Sequence, residues 1–254
     1  MIHDAEGGPG QRAHATTRSA RRNVRYGFDR LGPEQHRPRH AHDAAYATLV
    51  LAGAFHQTGY GGRYRVEAGD IVVQPTLDRH ADHMMSRGVD LVRLPWRFDA
   101  GAGGVWRGCN VEEIYRASQS DLKATLGILC GELTADRASS PILEHWADRF
   151  FTDLRMTPTL RVQTWADAHG LTRECVSRNL RRVYGVSPAE LRSELRTRTA
   201  WRLCIETGEP LAAVAIETGF SDQAHMTRAM RHLTGATPAA WRRSHFGPMA
   251  ATEA

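Results

Sequence analysis

The chain of 254 residues has four cysteines, Cys109, Cys130, Cys175 and Cys204, and no two of them form a C-x-x-C pair. That scatter excludes a disulfide framework and a cysteine-held zinc finger, and it suits a reduced compartment. Long apolar runs are missing as well: no stretch approaches the roughly 20 residues that a membrane span needs. The opening "MIHDAEGGPGQRAHATTRSARR" lacks the apolar centre of a signal peptide. A cytoplasmic chain with no membrane partner is the expectation. There is no Ser-His-Asp spacing, no phosphate loop and no paired-acid motif, so the usual catalytic routes find no residues to carry them. Between residues 151 and 246 there is also no lysine, against 14 arginines and 9 acidic residues. The positive excess of the chain, +5 overall, therefore lies in its C-terminal part and is carried by guanidinium groups. This asymmetry points to a polyanionic partner, and a solvated helical surface is the plain alternative.

What is present is a repeat. "SRNLRRVYGVSPAEL", from Ser177 to Leu191, returns fifty residues later as "TRAMRHLTGATPAAW", from Thr227 to Trp241. In the second copy Met226, Ala229, Met230 and Leu233 fall at i, i+3, i+4 and i+7, a stripe to be buried, while Arg228 and Arg231 point the other way. In the first copy Val176, Leu180 and Val183 make the stripe, with Arg178 and Arg181 opposite and Asn179 on its flank. Each helix follows a shorter amphipathic segment and a glycine. Gly170 and Gly219 are positioned to end the earlier helix, and Thr172 and Ser221 to cap the later one. Helix, glycine turn and a second helix with a polar face make the helix-turn-helix pattern, whose second helix enters the DNA major groove.

Between the copies, Ser187 and Glu190 form a capping box around Pro188, and Gly208 follows as a stop. An unbroken helix of about 19 residues, near 28 Å, is expected there. Such a strut could set two recognition helices about one DNA turn apart, roughly 34 Å. Paired helices that merely pack on each other would explain one copy; two copies with matched Gly185/Gly235 and Pro188/Pro238 are much harder to explain that way.

Residues 160 to 246 resemble the DNA-binding domain of AraC/XylS-type transcriptional regulators. The stretch "AAVAIETGFSDQAHMTRAMRHLTGATPAAWRR" is similar to that family's signature throughout, including Ala215, Gly219, Phe220, Ser221, Arg228, Gly235, Pro238 and Trp241. The resemblance implies double-stranded DNA as a partner, with base contacts from Glu174, Ser177 and Arg178 in the first recognition helix and from Gln223, His225 and Arg228 in the second. Arginine can fork onto guanine and glutamine onto adenine. Arg181, Arg182 and Arg231 sit farther along and are expected at phosphates. Glu174 departs from the family pattern, since an anion there could read a cytosine amino group or repel phosphate.

From Tyr46 to Leu94 the texture changes to short apolar runs broken by Gly, Pro and Asp, which read as strands of a small antiparallel barrel or sandwich. The spacing resembles a cupin: His40-x-His42 before a strand, Gly53 after it, then Gly69, Pro75 and His80. The cupin resemblance implies a metal held by three histidines and a glutamate. Here His40, His42 and His80 match the histidines, and Tyr46 stands where the glutamate would be. A divalent ion, a metal-free effector pocket lined by these four residues, and purely structural histidines remain open at this point.

The fold expected is α+β with two domains: an N-terminal cupin-like β-barrel, connecting helices, and an all-α double helix-turn-helix domain. The boundaries expected are a flexible tail at 1–20, the sensory domain at 21–105, connecting helices at 106–156, the DNA-binding domain at 157–246 with Thr159 capping its first helix, and a second tail at 247–254. Leu122, Leu126, Leu129 and Leu133 form a helical stripe, followed by another of Leu143, Trp146, Phe150 and Leu154. Internal core and a dimerising helix pair are the two readings, the second implied by the resemblance. The function expected is sequence-specific transcription regulation under a small-molecule or metal effector, by a homodimer, with RNA polymerase as a further candidate partner. A metal-dependent cupin enzyme, or a regulator whose barrel only oligomerises, are the alternatives.

Overall fold

The computed structural model describes residues 21–96, 103–142 and 144–246. The tails expected at 1–20 and 247–254, and Leu143 of the second stripe, lie outside these residues. The N-terminal part is built from β1 (Arg21–Arg22), β2 (Gly27–Leu31), β3 (His36–His42), β4 (Tyr46–Gly59), β5 (Gly62–Glu67), β6 (Ile71–Gln74), β7 (His80–Pro95) and β8 (Gly104–Trp106). Helices follow: α1 (Val111–Ser118), α2 (Leu122–Glu132), α3 (Trp146–Met156), α4 (Val162–Ala168), α5 (Arg173–Tyr184), α6 (Pro188–Glu206), α7 (Leu211–Glu217), α8 (Gln223–Thr234) and α9 (Pro238–Phe246).

The strands form an open sheet, not the closed barrel that the cupin spacing suggests. Its hydrogen-bonded path runs β1-β3-β7-β4-β6-β8, with β2 added on β7 and β5 on β4, and the ends of the path do not meet. All pairs except β1–β3 are antiparallel. The two long strands β4 and β7 pair along most of their length, but their register shifts on either side of Gly53. There Gly53 (φ +78°) faces Gly88 (φ +67°), and a Cβ on Gly53 would overlap the Gly88 carbonyl. Only glycine permits that approach at that backbone angle. Gly53, expected to follow a strand, thus sits inside one and bends it. The bend folds the sheet over a core of Leu31, Val50, Phe55, Val66, Met84 and Leu91, drawn from both of its halves.

Helices α1 and α2 cover one outer face of the sheet, packing Ile114 and Leu129 against Leu49, Ile71 and Val92. The remaining helices make two clusters. One joins Phe150, Phe151 and Leu154 of α3 to Trp165, Val176, Leu180 and Leu191; the other joins Trp201, Cys204 and Ile205 to Val214, Met226 and Met230. The first uses the N-terminal end of α6 and the second its C-terminal end. Each helix-turn-helix therefore packs on its own end of one helix.

Candidate nucleic-acid interface and histidine cluster

The capping chemistry read from the sequence is largely realised. The Thr172 hydroxyl accepts the Cys175 amide (3.1 Å), and Gly185 ends α5 in the left-handed region (φ +66°). Ser187 and Glu190 close a reciprocal capping box at the start of α6, which runs 19 residues. Gly170 and Gly219 take left-handed angles at the two turns, and Gly235 (φ +68°) ends α8. Two expectations are corrected. The cap of α8 is Asp222, whose carboxylate accepts the His225 amide at 2.6 Å, while Ser221 donates to Asp222; the second turn is one residue longer than the first, and a carboxylate accepts a helix N–H better than a hydroxyl does. Thr159 caps nothing, because α4 starts at Val162 with Arg161 at its N-cap and no side-chain cap bond.

Val176 and Leu180 of α5, and Met226 and Met230 of α8, are fully buried. On the opposite faces Glu174, Arg178, Arg181 and Arg182 of α5, and Gln223, Arg228 and Arg231 of α8, are exposed. Ser177 and His225 are half-buried. His225 is engaged inside its own turn: its Nδ1 lies 3.1 Å from the Ser221 hydroxyl and its ring meets Phe220 edge-on. That ring braces the turn as well as facing outward. Arg181 reaches Glu190 (3.4 Å) and Arg182 donates to Asn179 (3.2 Å), both exposed contacts that a phosphate could replace at little cost. The Asn179 amide donates to the Cys175 carbonyl, so the flank of the first stripe is satisfied within its own helix.

In the sheet, His40 and His42 on β3 and His80 on β7 are buried and converge, with one ligand nitrogen from each lying within 4.8 Å of the others. His40 Nδ1 lies 2.9 Å from the Pro38 carbonyl, and His80 Nδ1 3.2 Å from that of Asp78. A carbonyl can only accept, so each Nδ1 carries the proton and each Nε2 keeps a lone pair. Burial first, and then the neighbouring imidazole, push His40 and His80 down to about 3, so both rings are neutral at pH 7. The Tyr46 hydroxyl stands 3.3 Å from His80 Nε2, and burial raises its pKa above the usual phenol range, so it is a donor there. Asp82, its pKa raised by burial, closes the far side 3.9 Å from His80 Nε2. The cavity these groups line is about 20 Å³, room for one water or one ion and not for an organic molecule. Three converging imidazoles, two of them neutral and each of those two held at Nδ1 by a carbonyl, are a donor set that fits a divalent transition metal.

The leucine stripe of α2 is turned inward. Leu129 is fully buried and Leu126 and Leu133 lie half-buried on the same cluster, leaving Leu122 at 52% exposure. On α3, Phe150 and Leu154 are likewise fully buried, among α4 and α5. The internal reading accounts for Leu129, Phe150 and Leu154, while Leu122 stays open to solvent.

Strand and helix periodicity do not say which residues join the sheet to the helices. The β6–β7 loop carries Leu77, Asp78 and Arg79, immediately before His80. Leu77 is fully buried among Ala200, Trp201 and Met230 and holds a left-handed angle (φ +61°), while its amide donates to the His42 carbonyl (2.8 Å). Asp78 pairs with Arg198 (3.3 Å). Glu194 of α6 accepts from Arg39 (2.8 Å), Arg79 (2.5 Å) and the Tyr60 hydroxyl (2.9 Å). Burial works to lower the pKa of Arg39, and the Glu194 carboxylate overturns this and leaves it raised. A second anchor links Arg63 of β5 bidentately to Asp148 of α3 (2.7 and 2.8 Å), which also accepts from the Tyr184 hydroxyl (2.8 Å).

Comparison with protein families matches residues 165–244 to a helix-turn-helix domain. No curated protein matches the chain. Among solved structures, ToxT from Vibrio cholerae strain SCE256 with a bound unsaturated fatty acid is similar at 12% identity over 87% of this chain and 95% of that one, with a TM-score of 0.40. An AraC-type DNA-binding-domain regulator from Chromobacterium violaceum is similar at 25% identity over 35% of this chain and 80% of that one (TM-score 0.32). The C-terminal domain of AraT, a response regulator from Geobacillus stearothermophilus, is similar at 19% identity over 44% and 95% (TM-score 0.38). No helix among the described residues is long and apolar enough to cross a membrane.

Proposed function

We propose that this chain, whose residues 165–244 are a helix-turn-helix domain of the AraC/XylS type, is a sequence-specific transcription regulator that reads double-stranded DNA with α5 and α8 under control of the histidine cluster. One observation carries the reading: two capped helices with exposed arginine faces pack on opposite ends of a single capped 19-residue helix. Arg178 and Arg228 are the base-reading arginines, with Glu174, Ser177, Gln223 and His225 beside them, and Arg181, Arg182 and Arg231 meet phosphates. The test starts from duplexes selected out of a random pool. Arg228→Ala is expected to cost about 1–3 kcal/mol and to relax choice at one base pair, whereas Arg231→Ala weakens all duplexes alike and lowers the salt slope by about one. A pool that yields no preferred sequence would overturn the reading.

Control comes through the β6–β7 loop. His80 holds one end of it and Leu77, Asp78 and Arg79 hold α6, so a change at the cluster is transmitted to the strut between the two heads. The volume of the cavity and the three converging imidazoles favour a divalent ion as the effector there, held by His40, His42 and His80 with Tyr46 beside them. A bound ion would link two strands through these three rings, and Tyr46, in the place of an acidic ligand, would offer a neutral oxygen. Elemental analysis of protein purified without a histidine tag is expected to find zinc, iron or nickel, and His80→Ala to lose it. Metal-free wild-type protein that also takes up none on titration would remove this part of the reading and leave DNA binding intact.

A further inference from the structure

Apart from the histidine cluster, a cleft of about 670 Å³ opens between the β4–β5 turn and α6, within the usual size of small-molecule sites. Its walls carry five guanidinium groups, Arg155 from α3 and Arg192, Arg196, Arg198 and Arg202 from α6. Against them stand two carboxylates, Asp78 and Glu217. Asp78 is already occupied by Arg198, and Glu217 is exposed. Unspent positive charge in a concave, part-buried site is an arrangement for anions.

Two further groups on the same walls point the same way. The Nε–H of Arg196 and the Nε1–H of Trp201 are buried and have no acceptor. Trp201 is 3% exposed, so water reaches its indole poorly, and a buried donor without a partner is rare enough in folded proteins to call for one. The rest of the Arg196 guanidinium is fixed: Nη1 donates to the Gly219 carbonyl (3.0 Å) and the plane lies 4.5 Å over the Phe220 ring. One of the five arginines is therefore clamped to the turn of the second helix-turn-helix while it keeps a free donor.

We propose that this cleft binds a small organic anion with two or more negative charges, a phosphate ester or a polycarboxylate, gripped by Arg196 and Arg202 with the Trp201 indole donating to it. Arg192 is not free for this role, since its guanidinium holds the Pro158 and Leu160 carbonyls of the α3–α4 linker. Arg202 is exposed and holds only Glu206, one turn along its own helix (3.1 Å), a contact that a ligand displaces easily. An anion so held would bridge α6 and the turn before α8 on one side and the Tyr60 hairpin on the other. As a second effector site it rests on the regulator reading, and its occupancy would set how the second head is held relative to the sheet.

The test uses the full chain without DNA, by calorimetry and hydrogen exchange, with inorganic pyrophosphate and citrate as probes and chloride at matched ionic strength as control. Saturable binding of at least one probe is expected, with new exchange protection in residues 192–202 and 217–219. Arg196→Gln with Arg202→Gln should weaken it tenfold or more, and Trp201→Phe should weaken it less while keeping the packing. Arg178→Gln with Arg231→Gln, on the DNA face, should leave it unchanged. Protection confined to residues 173–182 and 223–231, loss in the DNA-face variant alone, or no saturable binding of either probe would each overturn the proposal. Because no duplex is present, such a failure is separate from a failure to bind DNA, which is measured in its own titration.

Discussion

Glu194→Ala is expected to release the sheet from α6 at a cost of about 3–5 kcal/mol, the range for removing one partner of a buried ion cluster. The carboxylate is nearly enclosed, its side chain 10% exposed, and it is the shared acceptor of Arg39, Arg79 and Tyr60. Without it two guanidinium groups face each other across a dry boundary. The cluster is already short of acceptors, since Arg39 Nε, Arg39 Nη1 and Arg79 Nε have none. Nothing nearby can absorb the loss: Asp78 is paired with Arg198, and the Tyr60 ring, 5.3 Å from Arg39, offers only its π face. Two outcomes compete. The helices can stay docked and carry the charge, or the boundary can open and let water reach both arginines. Opening caps the cost at the docking free energy, so the unfolding transition should split in two. Replacing Glu194, Arg39 and Arg79 together with apolar residues should restore much of the stability, because an apolar contact avoids the desolvation that the ion cluster incurs. A single transition at the wild-type midpoint in Glu194→Ala would show that the cluster contributes nothing to docking.

The parts of this molecule that local chemistry specifies are the parts legible in its sequence. Caps, left-handed glycines and a 3.6-residue stripe lie within one helix and its neighbours, so Thr172, Gly185, Ser187 and Met226 could be read with no tertiary information. The convergence of His40, His42 and His80 was legible only through the spacing of a resemblance, because they come from strands 40 residues apart in sequence. The openness of the sheet was not legible: it depends on which edges find partners, and strand periodicity is the same for open and closed sheets. Glu194 did leave a signal. It sits in line with Leu191, Trp201 and Ile205 on the buried face of α6, an acid on an apolar stripe, which demands a buried cation; only the fold says that Arg39 and Arg79 are those cations. A repeat aligned at a fixed offset puts the cap of α8 one residue early, because the two turns differ in length and the alignment hides the insertion.

Gln223→Ala with Arg228→Ala is expected to lower affinity for a selected duplex by 10²- to 10⁴-fold, well beyond what one base contact supplies. The reason is linkage. Once α5 is seated, α8 binds as an intramolecular event, at an effective concentration set by the strut between them. That strut is stiff: α6 is fixed at its start by the Ser187–Glu190 capping box, and its two ends are packed into separate cores with α5 and α8. Its 19 residues rise about 28 Å, to be compared with the roughly 34 Å that separates successive major grooves on one face. Disabling the second head removes both its own contacts and this enhancement, so the protected footprint should shrink to one groove. Inserting five base pairs between the half-sites should do the same to the unmodified chain, because half a turn carries the second groove to the opposite face of the duplex and a rigid helix cannot follow it. Equal affinity for the spaced and unspaced duplexes would mean that α6 does not couple the heads, and the duplicated helix-turn-helix would then need another explanation.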